Sequence, residues 1–244
     1  MKLIQLNIWG GKLEYQIPDF LNQEKPDIVC MQEVQDLRGP SGAIFVTLDE
    51  LQTKCNFAYR YMSPTYTSMY QRRQNHYGNA ILSNLPLEDT EAFFTYGEYN
   101  DNFDMTEDDF NVRNVLHVQA KVNNKLVHIL NHHGFLVPGS KQGNDETVRQ
   151  MQMISQKLQQ LTGPIILAGD FNLAASSKSI ELINKQLRNL AAEQPDLTTT
   201  YTQFSNQTDV CDYIFVNDEV TVKDFRTSEA LVSDHKPLIL EFEV

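Results

Sequence analysis

Six short apolar runs in this chain end in, or adjoin, a carboxylate, a carboxamide or an imidazole. "KLIQLNIW" (2–9) reaches Asn7, "DIVCMQEV" (27–34) reaches Gln32 and Glu33, and "KLVHILNHHG" (125–134) reaches Asn131, His132 and His133. "PIILAGDFNL" (164–173) stops at Gly169 and presents Asp170 and Asn172. Asp212 interrupts "VCDYIFVN" (210–217), and Asp234 and His235 stand just before "PLILEFEV" (237–244). Taken singly, a strand-terminal Asp or Asn is a turn former or helix cap, and a His in an apolar strand is a hydrogen-bonded core residue. Six such endings need six separate explanations, whereas one pocket at the edges of packed sheets needs one. The pattern requires a fold that gathers many strand ends on one rim.

Further strand-like runs occur at "YGNAILSN" (77–84), "VRNVLHVQAKV" (112–122) and "VTVKDFRT" (220–227). Asn123 and Asn124 between the runs of 112–122 and 125–134 predict a tight hairpin. Between 145 and 161, Val148, Met151, Ile154, Leu158 and Leu161 recur at helical spacing, and Gly163 and Pro164 stop the helix. Ile180, Ile183, Leu187 and Leu190 predict another helix. Strands interleaved irregularly with helices predict α/β layers, two sheets covered by helices. A dinucleotide fold fits poorly, because "NIWGGKLEY" lacks the third glycine and no G-x-x-x-x-G-K-S/T occurs. No repeat, low-complexity tract or linker divides the 244 residues, so one domain over 1–244 is expected.

Charge narrows the function classes. With 20 Lys and Arg against 32 Asp and Glu, the formal net charge is −12. A passive nucleic-acid coat is basic, since phosphate neutralisation drives such binding. An enzyme that meets phosphate through a bound cation is not excluded. Glu98, Asp101, Asp104, Glu107, Asp108 and Asp109 crowd into 98–111 without a base among them, which reads as a solvated, mobile loop. It lacks the glycine and final glutamate of a calcium loop. Cys30, Cys55 and Cys211 form an odd set without C-x-x-C spacing, which predicts reduced core thiols. "MKLIQLNIWGG" reads as a first strand and not as a signal peptide, and no window approaches the roughly 18 apolar residues of a membrane helix. A cytoplasmic protein with no membrane span is expected.

Carboxylates and amide oxygens without thiolate ligands suit a hard cation, Mg²⁺ or Mn²⁺, which keeps positions open for water and phosphate. Histidines beside it can neutralise a phosphorane or protonate a leaving oxygen, and aspartates can orient them. That chemistry is metal-assisted phosphoester hydrolysis. At i and i+2 of an extended segment, Asp170 and Asn172 are expected to point the same way, as base and phosphate-binding amide.

"LNIW", "CMQEV", "GNAILS", "NHHG", "GDFN", "DYIFV" and "SDHKPL", in this order from Asn7 to His235, resemble the endonuclease/exonuclease/phosphatase superfamily of deoxyribonuclease I-like enzymes. The resemblance implies a four-layer α/β sandwich, two mixed β-sheets packed face to face and flanked by helices. It implies Glu33 as principal Mg²⁺ ligand with Asn7 beside it and Asp234 at the metal side of His235. It further implies Asp170 as base for the attacking water, Asn172 on a phosphate oxygen, Asp212 orienting His235, and His133, not His132, at the leaving group or phosphate. Within that family, "SNQTDVCDYIFV" lacks the basic, tryptophan-containing stretch of inositol polyphosphate phosphatases, and Val210 stands where nucleases often place a base. Arg72 and Arg73, with Tyr66, Tyr70 and Tyr77 nearby, offer a substrate-binding loop with stacking faces. The expectation is a Mg²⁺-dependent phosphodiester hydrolase, a monomeric nuclease on DNA or RNA without a protein partner. A sphingomyelinase-like or small-molecule phosphodiesterase or phosphatase is the alternative, and a non-catalytic binding module the third.

Overall fold

The computed structural model describes residues 1–37, 44–204 and 210–244. Its first sheet contains β1 (Lys2–Asn7), β2 (Ile28–Leu37), β3 (Tyr59–Tyr70), β4 (Arg73–Ser83), β11 (Thr221–Thr227) and β12 (Leu238–Glu243), in the order β11-β12-β1-β2-β4-β3. The second contains β5 (Leu87–Tyr96), β6 (Arg113–Val122), β7 (Lys125–His133), β8 (Ile165–Asp170), β9 (Arg188–Asn189) and β10 (Asp212–Val216), in the order β5-β6-β7-β8-β10-β9. Both are mixed. β1 runs parallel to β2 and β7 parallel to β8, and the other neighbours are antiparallel.

Period-two alternation builds the layers. Leu3, Ile28, Cys30 and Ile81 of the first sheet face Leu116, Val118, Ile129, Ile166, Ala168 and Ile214 of the second, forming the inter-sheet core. The opposite face of the first sheet, Ile4, Leu6, Val29 and Met31, packs on α1 (Gln16–Glu24) through Ile17, Phe20 and Leu21 and on α2 (Leu48–Lys54) through Leu48 and Leu51. Val115, Leu130 and Leu167 on the outer face of the second sheet bury Met151, Ile154 and Leu158 of α3 (Asp145–Leu158) and Ile180 and Ile183 of α4 (Lys178–Asn184). Each such side chain contributes about 1.5–3 kcal/mol by leaving water. The four expected layers are therefore present.

The expected hairpin is present, and other local expectations are revised. Asn123 and Asn124 make the hairpin with φ of 49° and 67°, and Val122 pairs with Lys125. The helix starting near Ile180 stops at Asn184, so Leu187 and Leu190 are buried beyond its end rather than on it. Arg72 sits at positive φ in the tight turn between β3 and β4, and Arg73 already belongs to β4 opposite Tyr70. Tyr66 is not a free stacking face: it is 4% exposed and sandwiched between Tyr77 and Phe103. The acidic 98–111 segment is fastened rather than loose. Thr67 N–H donates to Asn100 O at 2.8 Å, Phe103 N–H to Thr67 O at 2.9 Å, and Phe103 and Phe110 pack on Tyr66.

Among the described residues no helix is long and apolar enough to cross a membrane.

Candidate active site

One rim of the two sheets carries the polar strand ends. β1 ends at Asn7, which pairs with Gln32 on β2. On the second sheet His133 pairs with Asp170, and Asp170 lies opposite Asp212. Gly169 lets β8 close on β7, because a Cβ there would collide with the His132 carbonyl oxygen. The rim thus draws Asn7, Glu33, His133, Asp170, Asn172, Asp212, Asp234 and His235 from both sheets.

Glu33 reaches the rim through a backbone irregularity. The β2–β4 register slips between Met31 and Val34, and Glu33 takes φ 57° inside that bulge. A bulge re-aims a side chain that regular alternation would place elsewhere, and a non-glycine residue at positive φ is held there by its surroundings. Asn172 is reached by a second irregularity. The strand ends at Asp170, Phe171 turns into the core against His132, Tyr213 and Phe215, and Asn172 sits at φ 55°. Asp170 and Asn172 therefore do not converge as i and i+2 of an extended segment. They converge through a turn in which the Asn172 N–H donates to Asp170 Oδ1 at 2.9 Å.

Asp170 is the hub of the cluster and is 1% exposed. Its Oδ2 accepts from Asn7 Nδ2 at 3.1 Å and lies 3.7 Å from both His133 Nε2 and His235 Nε2. That separation is too long for a direct hydrogen bond, yet an oxygen about 2.8 Å from carboxylate and imidazole spans it in a bent arrangement. Burial opposes the charge on Asp170, but His235, His133, Lys141 and the Asn7 bond outweigh it and hold the carboxyl well below the carboxylate range. Asn7 also donates to Glu33 Oε1 at 3.2 Å, while its oxygen accepts from Trp9 N–H at 3.0 Å. Its carboxamide thereby fastens the two carboxylates to each other.

His235 and His133 differ. His235 Nδ1 donates to Asp212 Oδ2 at 2.8 Å, and Asp212 Oδ1 accepts from Gln5 Nε2 at 3.0 Å. Burial works against a charged His235, but Asp212 and Asp170 prevail and raise its pKa well above the ordinary value. Burial and then Arg113 push His133 well below it. The two imidazoles are thus shifted in opposite directions. His132 points away from the rim, edge-on to Phe171, and burial drives it down to about 3.

A cation belongs where charge is uncompensated. Burial raises the Glu33 pKa, the Asn7 bond and His235 offset part of this, and the carboxylates of Asp234 and Asp170 raise it further. Glu33 feels the charges of Asp234 and Asp170, and carboxylate oxygens of this kind suit a hard divalent ion. Donor atoms of Asp170, Cys211, Asp212 and His235 also lie within 4.8 Å of one another. That group is a poorer fit, since Asp212 and His235 satisfy each other and burial pushes the Cys211 thiol up to about 12.

Three contributors were not picked out from the sequence, and a fourth, Tyr77, was named there only as a stacking face. Lys141 Nζ donates to Asn172 Oδ1 at 2.8 Å and brings a cation to the rim, yet nothing in "PGSKQGND" marks it. Arg113, 7% exposed, donates to the carbonyls of Gly134, Phe110 and Val112, a buried cation behind the cluster. Gln5 braces Asp212 and exchanges amide bonds with Gln32, which donates to Asn131 Oδ1 at 2.6 Å. This buried network ties the sheets together beneath the rim, and it was legible as a polar residue two before Asn7 on one strand face. Tyr77 lies close enough to Glu33 that, after burial, its charge is the largest influence raising the phenol. Arg72 and Arg73 are not brought into the cluster: Gly78, level with Val34, is five residues or about 16 Å along β4 from Arg73.

The chain matches the model of the Endonuclease/Exonuclease/phosphatase family over residues 4–235. It belongs to that family. Members of the Endonuclease/Exonuclease/phosphatase family hydrolyse phosphate esters. Comparison with curated proteins finds no match. Solved structures of the same fold include D. rerio TDP2 complexed with single strand DNA product, at 15% identity and TM-score 0.73, covering 100% of this chain and 99% of that one. The human Nocturnin catalytic domain with bound sulfate anion is similar at 19% identity and TM-score 0.72, covering 100% and 93%. The Bacteroides thetaiotaomicron mannosyl-6-phosphatase Bt3783 is similar at 18% identity and TM-score 0.71, covering 100% of both chains.

Proposed function

We propose that this chain is a Mg²⁺-dependent phosphodiester hydrolase acting on nucleic acid. The observation that carries the reading is Asp170 Oδ2 at 3.7 Å from both His133 and His235, with His235 backed by Asp212 at 2.8 Å. Asp170, kept ionised, accepts the proton of the attacking water. His235, kept charged, faces the phosphoryl oxygens as negative charge develops on them. Neutral His133 donates a hydrogen bond to the phosphate or to the leaving oxygen. Asn172, held through its oxygen by Lys141 and through Nδ2 by the Gly134 carbonyl at 3.2 Å, has its second amide hydrogen for a phosphate oxygen. Glu33 and Asp234 would hold the Mg²⁺, with Asn7 fixing Glu33; the ion supplies Lewis-acid charge to the phosphate.

The nucleic-acid substrate is favoured by the likeness to the TDP2 fold, whose structure holds a DNA product. A small phosphate ester is the second reading, favoured by the net charge of −12 and by the likeness to a mannosyl-6-phosphatase. The test is hydrolysis of single-stranded DNA, duplex DNA, RNA, abasic DNA, sphingomyelin, a sugar phosphate and bis-p-nitrophenyl phosphate, each with Mg²⁺, Mn²⁺ or EDTA. Metal-dependent cleavage of a nucleic acid, absent in Asp170→Asn, is expected. Turnover confined to the sugar phosphate would replace the substrate assignment. Full activity in EDTA would remove the metal.

A further inference from the structure

The outer face of the second sheet carries a separate pair of histidines. On β6, Leu116 and Val118 enter the inter-sheet core while Val115 faces the helices, so His117 and Gln119 share the helix side. On β7, His128 shares that side with Leu130. The register sets Glu91 of β5 opposite His117 and Gln119 opposite His128. The two imidazoles are only 3% and 8% exposed, and they border an open cavity of about 630 Å³ whose rim includes Lys157 and Thr162. His128 precedes His133 by five residues on the same strand, so this place lies about 16 Å from the candidate active site.

Counting hydrogens defines what the pair lacks. His128 Nε2 is 3.1 Å from the Thr162 carbonyl oxygen, which only accepts, so Nε2 carries its hydrogen. His117 Nδ1 is 2.6 Å from Glu91 Oε1. Lys157 forms an ion pair with that carboxylate, and Lys157 and then His117 hold it below the usual range, so Glu91 also only accepts. A neutral imidazole has one N–H. Both outer nitrogens have used it, and the inner ones, His117 Nε2 and His128 Nδ1, face each other at 2.9 Å with lone pairs on both. A cation between them removes the conflict, either a proton or a metal ion. Burial opposes a proton on either ring and is the largest influence on both; the Glu91 bond on His117 and the Thr162 carbonyl on His128 offset part of it, and Lys157 opposes the proton on both rings.

We propose that His117 and His128 form a second metal site, for a borderline divalent ion such as Zn²⁺, completed by water from the adjoining cavity. Imidazole nitrogens prefer Zn²⁺ to the hard ions that suit the rim. Outer N–H groups committed to a carboxylate and a backbone carbonyl are the second contacts that orient metal-bound histidines. The ring centroids lie 5.1 Å apart, so the two lone pairs now point nearly along the line between the nitrogens. At a Zn–N distance of ~2.05 Å the ion sits off that line, and binding requires the nitrogens to open by roughly 0.4 Å and both rings to turn towards it.

The experiment is calorimetric titration of the metal-stripped full chain with Zn²⁺ in excess Mg²⁺, for wild type, His117→Gln, His128→Gln and Glu33→Gln. One Zn²⁺ equivalent is expected to vanish in both histidine variants and to persist in Glu33→Gln, while Mg²⁺-supported turnover of His117→Gln stays within about twofold of wild type. Equal Zn²⁺ stoichiometry in wild type and His128→Gln overturns the proposal. Imidazole ¹⁵N spectra of the wild type provide a check free of folding defects. Zn²⁺ is expected to shift the inner nitrogens of both rings and leave the outer N–H signals in place. A shared proton at pH 7 that Zn²⁺ does not displace also overturns it.

Discussion

Asp212→Asn should damage catalysis only through His235. Asp212 receives donors on both oxygens, Gln5 Nε2 at 3.0 Å on Oδ1 and His235 Nδ1 at 2.8 Å on Oδ2. An asparagine must turn its NH₂ towards one of these donors, so either the brace or the imidazole tautomer is lost. A charge-assisted hydrogen bond is worth ~1.5–3 kcal/mol, which at 1.36 kcal/mol per decade gives a loss of roughly 10- to 150-fold in kcat/KM. His235→Ala should cost more, about 10²–10⁴-fold, the usual range for an acid–base group. Losses within one unit do not add, so Asp212→Asn on top of His235→Ala should cost little further. Combined with His133→Ala it should be multiplicative to within ~0.5 kcal/mol. The assay is a double-mutant cycle with one diester substrate, with thermal melts to confirm folding. The pH dependence carries the same logic. His235 has a folded pKa above its unfolded value, so its stabilisation is complete below about pH 6.5 and fades as pH rises through the folded value. The Asp212→Asn destabilisation should therefore be largest in mild acid, and the alkaline limb of its rate profile should move to lower pH. Additivity with His235 and coupling to His133 would refute the pairing.

Three further outcomes are expected. In EDTA, Glu33→Gln should melt higher than wild type above about pH 5 and lose the Mg²⁺-induced rise in Tm, because the raised folded pKa makes ionised Glu33 a cost as pH increases through it; a lower melt with an intact Mg²⁺ response would place the ion elsewhere. Lys141→Met should lower kcat/KM about 10-fold, near the ~1.5 kcal/mol of a hydrogen bond to a charged group, and an unchanged value would remove Lys141 from the site. Neutralising Asp101, Asp104, Asp108 and Asp109 should raise the rate on duplex DNA more than on a small diester, since the segment is fastened beside Tyr66 and its repulsion reaches ~8–10 Å; equal changes would set it apart from the substrate path.

Much of the architecture was readable because β1 alternates and β2, β6, β7, β8, β10 and β12 lie in short, largely apolar runs bounded by polar or turn residues. β3 and β5 were not readable, for two different reasons. "YRYMSPTYTSMY" buries Ser63, Thr65, Thr67 and Ser68, so its polarity hides its place in a sheet, and its register shifts between Pro64 and Tyr66. "LEDTEAFFTY" is an edge strand, mostly exposed and acidic, which resembles a loop by composition. Leu187 and Leu190 continue a helical period past the end of α4, but Leu187 packs on the outer-face core from the turn and Leu190 on the inter-sheet core from just beyond β9, which periodicity does not register. At the rim, residue identities were visible but the means of aiming them were not. The bulge at Glu33 and the turn at Asn172 are backbone irregularities, and Lys141 arrives from a loop whose path is set by distant packing.

The division of labour between the two central carboxylates is the claim on which the account rests. Turnover of one diester should be measured across a Mg²⁺ titration for wild type, Glu33→Gln and Asp170→Asn. The account predicts that Glu33→Gln recovers substantial activity at a much higher Mg²⁺ midpoint, while Asp170→Asn stays inactive at saturating Mg²⁺ with its Mg²⁺ binding largely retained. Equal rescue of both variants by excess Mg²⁺, or full activity of Asp170→Asn, would contradict it.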